Sequence, residues 1–198
     1  MHLPKKGLRV LGIAESYTGR VQSTLAGVVM RKDLLIDGFT FGQVTVGGMD
    51  ATGTIIRMVG DLGRQDINAI MLSGCVIAWF NVMDPGRIAD EAGIPVICVT
   101  YEDSEGLEGD IRHYFPEDRA RVEAYTRLGE RRPVGLPTGQ TVFIRSWEIS
   151  LSDAAILCRD FTRDGKIPEP LRVARLCARG VSSFVTGEKP AHLSSRMA

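Results

Sequence analysis

Residues 149–155 read ISLSDAA and residues 166–174 read KIPEPLRVA. The first stretch predicts the start of a helix, because a serine followed three residues later by an aspartate resembles a capping box. The second stretch predicts the start of a final helix, because its two prolines fit a first turn, where a missing N–H costs little. The chain is therefore expected to end in two helices joined by a short turn.

The chain before these helices changes its hydrophobic pattern once. Its first part predicts a three-strand antiparallel meander of apolar segments separated by short turns, at residues 8–14, 21–30 and 34–46. Its second part alternates predicted helices and strands: helices at 50–63 and 84–93, strands at 67–72, 94–100 and 141–147. Between them we expect an apolar turn or short helix at 76–82, exposed helices in the acidic region 102–130 and a loop at 129–139.

This order of elements predicts an α/β fold of the ribonuclease H-like type, with three layers arranged α/β/α. Its mixed sheet should have five to six strands, an antiparallel meander followed by parallel strands. Residues 1–185 are predicted to form a single domain, and residues 186–198 a flexible C-terminal tail.

Composition excludes little. The chain has 24 basic and 24 acidic residues, so nucleic-acid binding would need a local basic patch. The four cysteines stand far apart among apolar neighbours, which indicates buried reduced thiols and no structural zinc site.

No apolar run reaches the roughly 20 residues of a membrane span, and no secretion signal opens the chain. We therefore expect a cytoplasmic protein without a membrane partner, and the sequence predicts no oligomeric state.

Three motifs resemble endonuclease V. Residues 12–17, GIAESY, are similar to its opening GVDxSY, and residues 72–74, LSG, to its VDG. The closing stretch resembles ISLxxA followed by LPEPTRxA. A smaller, mostly archaeal family of unknown function, related to endonuclease V, is closer still: it resembles the chain at 9–13, 45–52 and 167–174. The resemblance implies a ribonuclease H-like fold, but fold alone does not imply an activity.

The resemblance also implies where Mg²⁺ would bind, on carboxylates at neighbouring strand ends. In this chain the positions of those carboxylates are taken by Ala14, Val46 and Ser73, and the family's His-Arg pair appears as Trp147-Glu148. We therefore expect a catalytically degenerate protein with no metal site and no cofactor.

An alternative keeps a metal-dependent nuclease or phosphodiesterase on displaced carboxylates, with Mg or Mn as cofactor. The candidates are Glu15, Asp50, Glu102 and Asp103. Competing interpretations make Asp50 a helix cap and place Glu102 and Asp103 in a solvated loop. Strand alternation would aim Glu15 at the face opposite the inherited site.

Basic residues near the end of the chain suggest a different function. Six of them are candidates for nucleic-acid binding: Arg159, Arg163, Lys166, Arg172, Arg175 and Arg179. The last three lie at i, i+3 and i+7, so they share one helix face, which could bind phosphate or only be solvated. Aromatic side chains for base stacking are few, and Trp79 and Phe80 are expected in the core.

The leading hypothesis is thus a non-catalytic protein that binds nucleic acid or a nucleic-acid-processing partner. A third hypothesis is a pure protein-interaction subunit that uses residues 102–130.

Overall fold

Three antiparallel strands begin the fold in the computed structural model, which describes residues 7–16 and 21–187. They are β1 (Arg9–Ser16), β2 (Gln22–Arg31) and β3 (Ile36–Thr45). The central elements follow in the order α1 (Ala51–Leu62), β4 (Ala69–Ser73), β5 (Val76–Ile77), β6 (Asn81–Val82), α2 (Pro85–Ala92) and β7 (Val96–Thr100). The last elements are α3 (Glu108–Tyr114), α4 (Arg119–Arg127), β8 (Arg132–Gly135), β9 (Thr141–Trp147), α5 (Leu151–Asp160) and α6 (Glu169–Thr186).

One seven-stranded sheet has the order β3-β2-β1-β4-β7-β9-β8. Strands β1, β4 and β7 are parallel to one another, whereas the β1–β2, β2–β3, β7–β9 and β8–β9 pairs are antiparallel. The predicted ribonuclease H-like α/β fold with a mixed sheet is confirmed. The carboxyl ends of the three parallel strands meet at one edge, where the connecting loops can form a site.

Helices cover both faces of the sheet. Side chains alternate along the central strands, so each strand contributes apolar residues to both faces. On β4, Ile70 and Leu72 pack with α1 and α2 in one apolar cluster. Ala69 and Met71 pack with α5 and α6 in a second cluster on the opposite face. The second face includes Ala14, so the inherited metal position lies on the side of α6.

The sheet has seven strands rather than the expected five or six, because the predicted loop at 129–139 contains β8. Pro133 lies within β8, which is an edge strand, and there a missing N–H breaks no hydrogen bond between strands. The segment at 76–82 was expected to be a turn or short helix. It forms the hairpin β5–β6 in a separate two-stranded sheet.

Local helix signals are mostly confirmed. Gly63 and Gly93 end α1 and α2 in the left-handed conformation, and Ser150 caps α5 by accepting from Asp153 N–H. Asp50 occupies the N-cap position of α1, as expected, but its side chain makes no capping hydrogen bond. Of the expected tail at 186–198, residues 188–198 lie outside the described residues.

All four cysteines are free thiols, three of them buried. None of the helices within residues 7–16 and 21–187 combines the length and apolar character needed to cross a bilayer.

Candidate functional site

Ser73 ends β4 on the sheet face that α6 covers. Its Oγ lies 3.2 Å from the hydroxyl oxygen of Tyr101, the residue that follows β7. Arg175 of α6 donates to the same Ser73 oxygen over 3.3 Å, and its guanidinium carbon lies 5.5 Å from the centroid of the Tyr101 ring. Burial raises the pKa of Tyr101, against opposing effects of Ser73 and Arg175. The phenol therefore stays protonated at neutral pH and keeps an O–H to donate.

A cavity of about 320 Å³ opens beside this group, between β4, β7, β9 and the loops that follow β4 and β7. We call it the arginine cavity after Arg131, Arg145 and Arg175, which line it together with Ser73 and Tyr101. Its lining thus offers several N–H and O–H donors, which is the chemistry of an anion site.

The three arginines of the cavity differ in how they are held. Arg131 donates to the backbone carbonyls of Glu102 and Ser104, and lies 3.7 Å from an Asp103 carboxylate oxygen. Arg145 donates through Nε to the carbonyl of Gly129. Among the described residues, neither Arg145 nor Arg175 forms an ion pair with a carboxylate. Two positive charges in this cavity are therefore available to a ligand.

The inherited metal position does not fit a divalent cation. Ala14 is 3% exposed and packs in the apolar cluster below α6, so it offers no ligand. Ser73 offers only a hydroxyl, already shared between Tyr101 and the positively charged Arg175. A cation would meet a fixed guanidinium where carboxylates are required. The described part of the chain contains no group of three or more His, Cys, Asp or Glu side chains that could hold a metal.

Glu15 is bound to protein groups instead. Its two carboxylate oxygens accept from the N–H of Ala78 over 3.0 and 3.1 Å, and one accepts from the Ser23 hydroxyl over 2.8 Å. The residue lies next to Ala14 on β1, but it holds the β5–β6 hairpin.

Asp50 also binds the hairpin. Its carboxylate accepts from the backbone N–H and hydroxyl of Thr45 and from the Asn81 side-chain amide, the last over 2.7 Å. Burial works against ionisation of Asp50, but the hydrogen bonds from Asn81 and Thr45 outweigh it and lower the pKa. Glu15 and Asp50 thus position loops.

Glu102 and Asp103 follow β7 and are exposed. Glu102 also lines the arginine cavity and forms an ion pair with Lys166, and Asp103 approaches Arg131. The structure does not bring these two acids together with Glu15 and Asp50 as one metal-binding group.

Of the six basic residues named from the sequence, Arg175 alone lines the arginine cavity. Arg159 donates to the Gly135 carbonyl, Lys166 pairs with Glu102, and Arg172 pairs with Glu169 of its own helix. Arg163 is exposed and Arg179 half-buried.

Sequence reasoning missed Arg131, Arg145 and Tyr101. Arg145 reaches the site because β9 pairs with β7, so that it stands opposite Cys98. This pairing joins residues far apart in the chain, and no local pattern indicates it.

The tip of the β5–β6 hairpin has an unusual backbone. Residues 78–80 all adopt positive φ, with values of 41° at Ala78, 60° at Trp79 and 61° at Phe80. Side chains other than glycine rarely adopt this conformation, and it persists only where surrounding contacts fix it. Trp79 is 47% exposed, so the expectation that it belongs to the core is wrong, whereas Phe80 is half-buried beside the core.

The fold and the sheet order define the class: this is a ribonuclease H-like α/β protein. The family described as Endonuclease dU matches residues 6–182, and the chain belongs to that family. A UPF0215 protein of Pyrobaculum calidifontis is 39% identical over 183 residues, covering 89% of this chain and 98% of the relative. The predicted membership of an endonuclease V-like family is confirmed by this match together with the structural similarities below.

Several solved structures are similar to this one. A protein of unknown function from Archaeoglobus fulgidus has a TM-score of 0.77 at 26% identity, covering 88% of this chain and 98% of its own. Endonuclease V of Ciona intestinalis, solved with a 24mer DNA containing an inosine followed by a ribo-adenosine, has a TM-score of 0.62 at 15% identity. That likeness covers 91% of this chain and 88% of the other, and it shows a shared fold.

Proposed function

We propose that this protein binds nucleic acid through the arginine cavity and does so without the metal-dependent cleavage implied by its scaffold. The observation on which the proposal rests is the pair Arg145 and Arg175, two guanidinium groups without a carboxylate partner among the described residues. They share one cavity with the hydroxyls of Ser73 and Tyr101.

Phosphate is the ligand that suits this lining. A guanidinium presents planar N–H donors that match phosphate oxygens, and hydroxyls add further donors. The chain as a whole has equal numbers of acidic and basic residues, so attraction to a polyanion has to come from such a local group. Half-buried Arg179 lies four residues after Arg175 on α6 and is therefore placed to extend the contact with the nucleic-acid backbone.

The comparisons support a DNA ligand. The similar endonuclease V of Ciona intestinalis was solved bound to DNA. The family name, Endonuclease dU, points to deoxyuridine, so we choose DNA with a single deoxyuridine as the first ligand to test.

Cleavage of that DNA is the second candidate function, and the family name favours it. The residues in place argue against the inherited route, since Ala14 and Ser73 cannot replace two metal-binding carboxylates. Ser73, Tyr101 and Arg175 can bind and orient a phosphate. The described residues, however, include no group of three or more His, Cys, Asp or Glu side chains that could bind a metal ion there.

Fluorescence anisotropy tests the binding proposal. Labelled single- and double-stranded DNA, with and without deoxyuridine, and matching RNA are titrated at several salt concentrations. Arg175→Ala and Arg145→Ala should each weaken binding and lower the slope of log K against log salt by about 1. Arg159→Ala is the matched control, because its side chain is bound to the Gly135 carbonyl outside the cavity.

Absence of binding by the wild-type protein at low salt would reject the proposal and favour a protein-interaction subunit. The same mixtures, incubated with Mg²⁺ or Mn²⁺ and run on denaturing gels, test the non-catalytic part. A cleavage product that disappears in Arg175→Ala would overturn that part.

A further inference from the structure

The hairpin tip, residues 78–80, is fixed in its left-handed backbone by three separate contacts. Glu15 accepts from the N–H of Ala78, and the carbonyl of Ala78 accepts from the N–H of Gly47 over 2.7 Å. The guanidinium of Arg121 donates to the carbonyl of Phe80. A turn without glycine that is held at three points is rigid, and such strain is typical of functional sites.

Arg121 itself is 4% exposed and joins the tip to the loop before α1. It donates to the carbonyls of Gly47 and Gly48 over 2.9 and 3.0 Å, and its guanidinium carbon lies 4.0 Å from the centroid of the Phe115 ring. These contacts tie the β5–β6 hairpin, the β3–α1 loop and α4 into one unit. The direction of the Trp79 side chain is therefore set by the fold.

The ring of Trp79 is presented to solvent beside Tyr114 of α3. The two ring centroids are 4.9 Å apart with planes tilted by 58°. Trp79 is 47% exposed and Tyr114 50% exposed. Phe80 stacks beneath Tyr114, with centroids 5.7 Å apart and planes inclined by 29°. We call Trp79 and Tyr114 the aromatic pair.

The aromatic pair and the arginine cavity are joined by one short segment. Ser73, Gly74, Cys75 and Val76 line the cavity, and Trp79 follows Val76 by three residues. Because three residues of extended chain reach at most about 10 Å, the Cα atoms of Val76 and Trp79 lie within that distance of each other. A single nucleotide strand with a phosphate in the cavity can therefore bring a neighbouring base to the pair.

We propose that the aromatic pair stacks on an unpaired nucleobase of a nucleic-acid strand whose phosphate lies in the arginine cavity. This inference rests on the proposed function and names the part of the ligand that the cavity does not contact. Every base has a π-face, so stacking on tryptophan and tyrosine accepts any base, and a base in a duplex is unavailable until it is unstacked. The positive charge of the arginine cavity, which is lined by the same short segment that leads to Trp79, suits a base attached to its phosphate better than an apolar protein segment.

Trp79→Gly is the central test variant, because glycine adopts the positive φ of 60° without strain and the fold is kept while the ring is lost. Binding of a single-stranded oligonucleotide should weaken roughly 5- to 150-fold, which corresponds to loss of one stacked base. Trp79→Phe should retain most of the affinity. The affinities of Trp79→Gly and of the wild type for an intact duplex should agree within about twofold, since the bases of a duplex remain paired.

Glu148→Gly is the matched control. Glu148 is exposed, also has a positive φ, of 56°, and lies outside both the tip and the cavity. The substitution relieves the same kind of backbone strain, and single-strand affinity should stay within about twofold of wild type because screening limits the effect of one distant charge.

Tryptophan fluorescence supplies a readout that does not depend on affinity. The chain has two tryptophans, so Trp147→Phe leaves Trp79 as the single reporter. Saturating single-stranded oligonucleotide should quench this emission, whereas the same strand with an abasic site at the stacked position should not.

The outcomes separate the two proposals. Two results, with binding still lost in Arg175→Ala, would overturn the stacking inference alone: single-strand affinity unchanged in Trp79→Gly, and emission of Trp147→Phe unchanged by the bound strand. Failure of the wild type to bind any nucleic acid at low salt would overturn both.

Discussion

Gly12 of β1 and Pro170 of α6 meet backbone to backbone: a Cβ on Gly12 would lie 2.5 Å from the carbonyl carbon of Pro170. The first and last of the motifs named above, from opposite ends of the chain, are thus in direct contact where α6 packs on β1. Only glycine leaves room for α6 at this height. The two motifs therefore belong to the packing of the fold, independently of any catalytic role.

Gly12→Ala should destabilise the protein by about 1–3 kcal/mol, because the added methyl forces α6 away from β1. A chemical denaturation curve measures the change, and the midpoint should fall. Gly60→Ala is the control: Gly60 lies in α1 with nothing within 4 Å of its Cβ position. There alanine should stabilise the helix by up to about 1 kcal/mol. Equal effects of the two substitutions would contradict the close contact.

Glu15→Gln should lower stability by about 1 kcal/mol, since a neutral acceptor binds the Ala78 N–H less strongly than a carboxylate does. Differential scanning calorimetry measures the shift, with exposed Glu105→Gln as control. Titration with Mn²⁺ in a calorimeter should give no heat of binding for either variant or for wild type. Mn²⁺ binding that is lost in Glu15→Gln would instead support the displaced metal site.

Much of the fold is predictable because its signals are local. Gly63, Gly93 and Ser150 mark helix ends by their own chemistry, and β9 has the predicted bounds of 141–147. β8 is missed because Pro133 and nearby glycines indicate a loop, while the pairing with β9 that makes it a strand is non-local.

The site is less predictable than the fold. From the sequence, Ala14 and Ser73 show that two metal-binding carboxylates are missing. The structure adds that the Arg175 guanidinium lies beside Ser73, at the position of one of them. Arg145 and Tyr101 come together only when β7 pairs with β9, and Arg175 joins them only when α6 packs on the sheet. The exposed Trp79 is missed because an apolar run without glycine gives no sign of three left-handed residues.

Arg121→Lys should destabilise the protein by about 3 kcal/mol. A lysine ammonium cannot reproduce the planar set of donors that binds three carbonyls and the Asp118 carboxylate in a buried position. Thermal unfolding followed by circular dichroism measures the loss. Arg119→Lys, exposed on the same helix, should change the melting temperature little. A stable Arg121→Lys protein would show that the tip does not depend on this side chain.

Asp66→Asn should reveal acid-sensitive stabilisation. Hydrogen bonding from Arg64 lowers the pKa of Asp66 from 3.8 to about 2, more than desolvation raises it. Because the pKa of Asp66 is lower in the folded state than in the unfolded state, the ionised carboxylate stabilises the fold at pH values above the unfolded-state pKa. This stabilisation is lost as the pH falls from about 4 through about 2. The melting temperature of Asp66→Asn should thus lie slightly below wild type at pH 6, and most of this difference should be lost near pH 2.

Salt provides the control for Asp66, whose side chain is 47% exposed. In 1 M NaCl the Debye length is about 3 Å, so the difference at pH 6 should shrink. A difference at pH 2 as large as the one at pH 6 would mean that the asparagine acts through packing.

Ser73→Asp restores a carboxylate at the inherited position, and we expect it to form an ion pair with Arg175 rather than a metal site. Arg175 Nη2 already lies 3.3 Å from the Ser73 hydroxyl, and Ala14 supplies no second ligand. The new charge should weaken DNA binding by about tenfold, because one guanidinium is neutralised and the carboxylate repels phosphate. Ser73→Asn, similar in size but uncharged, should bind DNA more tightly than Ser73→Asp in the same anisotropy titration. Calorimetry of Ser73→Asp with Mn²⁺ should show no binding, and a measurable heat would mean that Arg175 yields its place to a cation.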